Sequence, residues 1–222
     1  MAATGGMAVM LRAATVQDIA ALQAWCLDQA AGLPHLAAIN LAASPPRGLN
    51  LPSDSQDDRP PYDAVLQFSD AVDASGLQAM LPAGTICHVY RVRRSVIRDD
   101  GPIPRGWPAP GLKMMHALHF HADMPDSAVR RSWANHARLA VKVHIGAARY
   151  CQNWIEARLS DDGPAYRGMS ELHFPSEQAL IDGYFDSPRG GEEIAQDIAH
   201  FIVGRPPRIF TQEYTPGHRP AA

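Results

Sequence analysis

Apolar residues recur along this chain in two rhythms, and the change from one to the other marks its elements. In the second half, LKMMHALHFH (112–121) is short and apolar and reads as a strand. DSAVRRSWANHARLAVKV (126–143) spaces Val129, Trp133, His136 and Ala140 by 4, 3 and 4 residues, one stripe of a helix that Asp126 or Ser127 is expected to cap. RYCQNWIEA (149–157) and MSELHF (169–174) follow as strands. Ser176 is expected to cap SEQALIDGYF, and GGEEIAQDIAHFI continues as a second helical piece after a break at Pro188–Gly191. RIFTQEY (208–214) closes as a strand.

The first half repeats this order less cleanly. AVMLRA is a strand, TVQDIAALQAWCLDQAA an amphipathic helix, and further strands are expected within HLAAINLAA, YDAVLQF and ICHVYRVRR. PHLAAIN echoes VHIGAARY, and LQFSD echoes LHFPS, which supports an internal repeat. Each half then has the order β-α-β-β-α-β, the ferredoxin-like unit. The expected fold is α+β: two such repeats forming an α+β barrel within the chain or by dimerisation, with antiparallel sheets face to face and helices outside. The repeats are placed at residues 7–97 and 112–214, with a proline-rich linker at 98–111 and a tail at 215–222 that is expected to fray. Ser44–Pro61 reads as a polar, proline-broken loop.

Composition narrows the setting. The chain has 222 residues, 46 % hydrophobic and 19 % charged, ordinary for a globular protein with a core of its own. A net charge of −3 offers no cationic field for a phosphate backbone, so no nucleic-acid partner is expected. No apolar run approaches a bilayer span, and the N-terminus lacks a signal-peptide layout, so no membrane association is expected. Cys26, Cys87 and Cys151 are odd in number and scattered, which reads as reduced thiols in a cytoplasmic protein.

Five of the ten histidines fall between Gly111 and Tyr150. Alternation along the first strand of this half puts Met114, His116, Leu118 and Phe120 on one face, and Lys113, Met115, Ala117, His119 and His121 on the other. If the first set lies under the helices, His116 shares a cavity with His136, which sits on the helix stripe beside Trp133. The other reading of both is a core histidine satisfied by a backbone carbonyl. His119 and His121, facing Glu171 and His173 across neighbouring strands, form either a metal constellation or a polar interface with the partner sheet. His144 ends the helix, where a cation suits the C-terminus or an imidazole edges the cavity. Tyr150 and Trp154 make one face of their strand aromatic, and Tyr150 is either packed or a donor to a substrate oxygen. His200 reads as a solvated residue near Glu193 and Asp197. No nucleophile elbow, phosphate loop or dinucleotide fingerprint is present in the sequence.

SWANHARLAVKVHIGAARYCQNW and GMSELHFPSEQALIDGYFDSP together resemble the EthD-like branch of the dimeric α+β-barrel superfamily. The resemblance covers roughly residues 112–214. It places His136 on the family's helix histidine, whereas the first half has Leu27 or Asp28 there. It implies a cavity between sheet and helices and a chemistry drawn from a mixed set: monooxygenases without cofactor, isomerases, cyclases and dehydratases. The resulting expectation is a cofactor-free lyase or isomerase acting on a small apolar aromatic or carbonyl compound. His136 would be the base, His116 the acid or its partner and Tyr150 the oxyanion donor. Trp133, His144, Met114, Leu118, Phe120 and Trp154 would form the substrate-binding wall, with no metal. The alternatives are a cofactor-independent monooxygenase, a non-catalytic small-molecule binding protein and, below both, a metal-dependent lyase. A homodimer is a further possibility.

Overall fold

Strand and helix signals in each half resolve into β-α-β-β-α-β in the computed structural model, which describes residues 3–49, 59–100 and 105–220. The elements are β1 (Thr4–Arg12), α1 (Ile19–Asp28), β2 (Leu36–Ala42), β3 (Ala64–Phe68), α2 (Ala74–Met80) and β4 (Ile86–Asp99) in the first repeat. The second has β5 (Leu112–Leu118), α3 (Asp126–Val143), β6 (Arg149–Arg158), β7 (Gly168–Phe174), α4 (Glu177–Gly183), α5 (Pro188–Ala199) and β8 (Arg208–Tyr214). Parts of the proline-broken loop (50–58), the linker (101–104) and the tail (221–222) lie outside the described residues.

The eight strands close into one antiparallel barrel in the order β1-β3-β2-β8-β5-β7-β6-β4. Each repeat contributes the ferredoxin-like order, and the two seams are β2 against β8 and β4 against β6. Closure follows from the repeat. Each four-stranded sheet has one face under helices and one bare, and pairing the edges buries both bare faces and leaves no open edge. Along β5 the alternation puts Met114 against the helix-side core and Met115 and Ala117 in the barrel interior, as the sequence pattern predicts.

Four local expectations change. Pro125, not Asp126 or Ser127, occupies the N-cap of α3, with Asp126 as the first helical residue. The break between the last two helices falls at Tyr184–Ser187, and Pro188 opens α5, where a missing N–H costs nothing; Ser187 accepts from the Gly190 N–H at 3.0 Å. β4 runs on to Asp99, into the stretch read as linker, because it pairs with β6 along its outer half. The tail is fastened as far as Arg219, which pairs with Asp28 at 3.2 Å and lies over the Trp107 ring. Among the described residues, no helix is long and apolar enough to cross a membrane.

Candidate active site

The buried stripe of α3, Val129–Trp133–His136/Ala137–Ala140–Val143, packs on the outer face of β5, β6 and β7, and α5 closes over its edge. Between them lies a cavity of about 70 Å³, room for several waters or a small ligand. His116 from β5, His136 from α3, His144 from the α3 C-cap, Tyr150 from β6 and Ser170 from β7 bring polar groups into it. Leu118, Trp133, Leu172, Ile194, Ile198 and Ile202 supply apolar wall.

His136 is the best-defined polar group. Its Nδ1 lies 2.7 Å from Asp197 Oδ2 on α5. A carboxylate only accepts, so Nδ1 carries the proton in the neutral ring and Nε2 keeps a bare lone pair. Burial pulls the His136 pKa below its usual value, and the bond and charge of Asp197 oppose that pull. The ring is therefore neutral at neutral pH, yet the imidazolium formed on taking a proton has a counter-ion already in place. From sequence alone Asp197 groups with the solvated His200. It sits three residues after Ile194 on the edge of the α5 stripe, the one available signal for an inward carboxylate.

His116 and His144 differ from His136 in having no carboxylate hydrogen-bonded to the ring. Burial, with Arg208, His144 and His136 nearby, pushes the His116 pKa down to about 3; its Nδ1 is 3.2 Å from Ser170 Oγ. Burial likewise pushes His144 down to about 4, although the Tyr184 carbonyl accepts from its Nδ1. His144 is thus a neutral, buried imidazole that caps the helix from within, not a solvated cation at its C-terminus. Neither ring carries a second proton at neutral pH, so His116 is not an imidazolium, which changes its expected role as acid.

Tyr150 is buried, and burial raises its pKa, so the phenol stays protonated. Its oxygen accepts from Gln152 Nε2 at 2.8 Å, and the same amide donates to the Trp133 carbonyl at 2.9 Å. This leaves the O–H free to donate to a cavity oxygen.

The structure gathers His116, His136, His144, Tyr150, Trp133 and Leu118 around one cavity, but not Met114, Phe120 or Trp154. Met114 is sealed in the core beneath α3, because β5 turns it toward Ala137 and Leu180. Phe120 and Trp154 stack at 5.7 Å behind Trp133 and buttress it. The metal constellation is not assembled. β5 ends at Leu118, so strand alternation no longer places His119 and His121: the first packs on Tyr166 and the second bonds the Ala199 carbonyl. Glu171 and His173 turn into the barrel, toward Arg94, Lys113 and Arg149. Among the described residues, no group of three His, Cys, Asp or Glu side chains is placed to hold a metal ion.

Solved structures share this architecture. An anthrone oxidase-like protein superposes with TM-score 0.57 at 10 % identity, over 99 % of this chain and 96 % of its own. A candidate chlorite dismutase matches with TM-score 0.52 at 12 % identity, over 97 % of both chains. A candidate monooxygenase from Lactobacillus acidophilus NCFM matches with TM-score 0.51 at 9 % identity, over 96 % of this chain and 97 % of its own. What these likenesses share with the chain is the fold, an α+β barrel closed here by the eight strands of one chain. No family profile and no curated protein sequence matches the chain.

Proposed function

We propose that this protein is a small-molecule enzyme whose first chemical step is removal of a proton by His136 Nε2 from an apolar, oxygenated substrate. The observation that carries this reading is the His136–Asp197 pair at 2.7 Å on the wall of a mostly apolar cavity. A buried neutral imidazole with a carboxylate behind it is arranged to accept a proton and stabilise the cation formed, an effect worth roughly 10²–10⁴-fold in rate. The substrate proton lies next to a carbonyl or on a phenol, and Tyr150 O–H donates to the oxygen that becomes anionic. Because His116 and His144 are held as neutral imidazoles, the proton taken by His136 is the one returned. It goes to another carbon in an isomerisation, or to a departing hydroxyl in a dehydration. This agrees with the EthD-like resemblance of residues 112–214.

A second reading is favoured by the anthrone oxidase-like and candidate monooxygenase neighbours. Here the carbanion left by His136 reacts with dioxygen. A CH₂ becomes C=O, one oxygen atom stays in the product and the other leaves as water, the four electrons coming from the substrate.

Purified wild type and His136→Ala are compared on a panel of hydroxylated and carbonyl-bearing aromatics, with products weighed by mass spectrometry and dissolved oxygen recorded. Unchanged mass or loss of water, with wild type alone, supports the isomerase or lyase. Oxygen uptake with a gain of 14 mass units, two hydrogens exchanged for one oxygen, supports the second reading. Equal turnover by folded His136→Ala removes the base, and binding without turnover makes the protein a carrier.

A further inference from the structure

The barrel interior holds more positive than negative charge, and it opens into a second cavity far larger than the first. Lys113 is fully buried and pairs with Glu213 and, at 3.3 Å, with Glu171. Arg94 pairs with Glu171 at 2.6 Å, and Arg149 with Glu213 at 2.8 Å. These are three cations against two carboxylates. His173 adds no charge, since burial and the nearby Lys113 hold it neutral with a pKa of about 4. At this end of the barrel Arg94, Arg149, Glu213, Asn153 and Arg105 line a cavity of about 580 Å³. Among the described residues Arg105 has no ion-pair partner, so it adds to the excess.

Two details say what would complete the site. Each paired arginine keeps spare N–H donors, because a guanidinium carries five and Arg94 and Arg149 use two apiece here. Asn153 is 1 % exposed; its Nδ2 donates to Glu171 and to the Met169 carbonyl, while its buried Oδ1 has no hydrogen-bond partner. An orphaned buried acceptor is costly and calls for a donor. In the β4–β6 ladder Arg94 is directly opposite Asn153, which sets the missing anion and the missing donor a few ångströms apart.

We propose that this barrel mouth is a binding site, separate from the His136 cavity, for a small 2-hydroxycarboxylate. The carboxylate sits against Arg94, Arg149 and Arg105, and the adjacent hydroxyl donates to Asn153 Oδ1. One negative charge balances Lys113, Arg94 and Arg149 against the two glutamates and leaves Arg105 as the surplus cation at the mouth, and a hydroxyl beside the carboxylate matches the Arg94–Asn153 pairing.

The probes are mandelate, phenylacetate, which lacks the hydroxyl, and mandelamide, which lacks the charge, each titrated calorimetrically into the full chain. Mandelate is expected to bind, with phenylacetate and mandelamide each about tenfold weaker or more, the worth of one charge-assisted or buried hydrogen bond. Thr4 lines the same mouth, is exposed and lies directly opposite Arg94 on the interior face of β1, so Thr4→Phe is expected to fold normally and to place its ring in the mouth. Loss of mandelate binding in Thr4→Phe, and about tenfold weaker binding in the surface variant Arg105→Ala, places the ligand in the mouth. Mandelate affinity unchanged by Thr4→Phe, equal binding of mandelamide, or no binding of mandelate overturns the proposal.

Discussion

His136 is held between two opposed forces, and the balance makes a prediction. Burial disfavours its charged form, and Asp197 at 2.7 Å favours it. Activity that needs the neutral ring is lost as pH falls through the His136 pKa, which lies below the usual 6.5. In Asp197→Asn the favouring charge is gone, so the pKa drops further. The acid limb of the pH–rate profile is expected to move to lower pH while turnover at pH 7 falls roughly 10²–10⁴-fold. A residue that merely packed would lower the rate without moving the limb. His136 was legible in the sequence because its helix stripe is unbroken. Asp197 was not, because an aspartate beside an apolar stripe reads as solvated until the partner helix is placed. The low pKa of His116 was equally hidden, since it comes from burial and from Arg208, 92 positions away in the chain.

At the scale of elements, every strand of both repeats and every helix except α2 (Ala74–Met80) was read from a segment of its own, and alternation alone assigned His116 to the helix side. The same alternation misplaced His119 and His121 because nothing in HALHFH announces that pairing stops at Leu118. Contacts between elements were not legible either. The turn after α3 packs on α4 with no space between them: a Cβ on Gly146 would lie 2.0 Å from the Ala179 carbonyl oxygen, and its N–H donates to the Gly183 carbonyl at 2.8 Å. This contact fixes α4, and through Tyr184 the ring of His144. Gly146→Ala is expected to cost about 1–3 kcal/mol, read as a lower urea midpoint at unchanged slope, since the backbones must separate. Turnover should fall as well, because the imidazole and the Tyr184 carbonyl move apart.

For the whole molecule, the barrel buries ionisable groups on both faces of one sheet. His116, His144 and His173 have folded pKa values of about 3, 4 and 4 against a usual 6.5. Between pH 6.5 and 4 the unfolded chain takes up protons that the folded chain refuses, so stability is full above 6.5 and falls as pH falls. The slope is about 1.4 kcal/mol per pH unit for each histidine that stays neutral, measurable by urea unfolding at pH 7, 6 and 5. Lys113, on the interior face, raises a separate question. Its ammonium sits between two carboxylates that each keep an arginine, so Lys113→Met does not leave either of them alone. Breaking a buried ion pair costs about 3–5 kcal/mol, and the retained arginines put the expected loss at the lower end of that range. A loss below about 1 kcal/mol would mean that Arg94, Arg149 and the Gln67 and Asn153 amides already satisfy both carboxylates. His116 and Met114 face the other side of β5, so turnover per folded molecule should stay at the wild-type level. A parallel loss of turnover would show that the charged interior holds the sheet beneath the cavity in shape, joining the two faces that the barrel otherwise keeps apart.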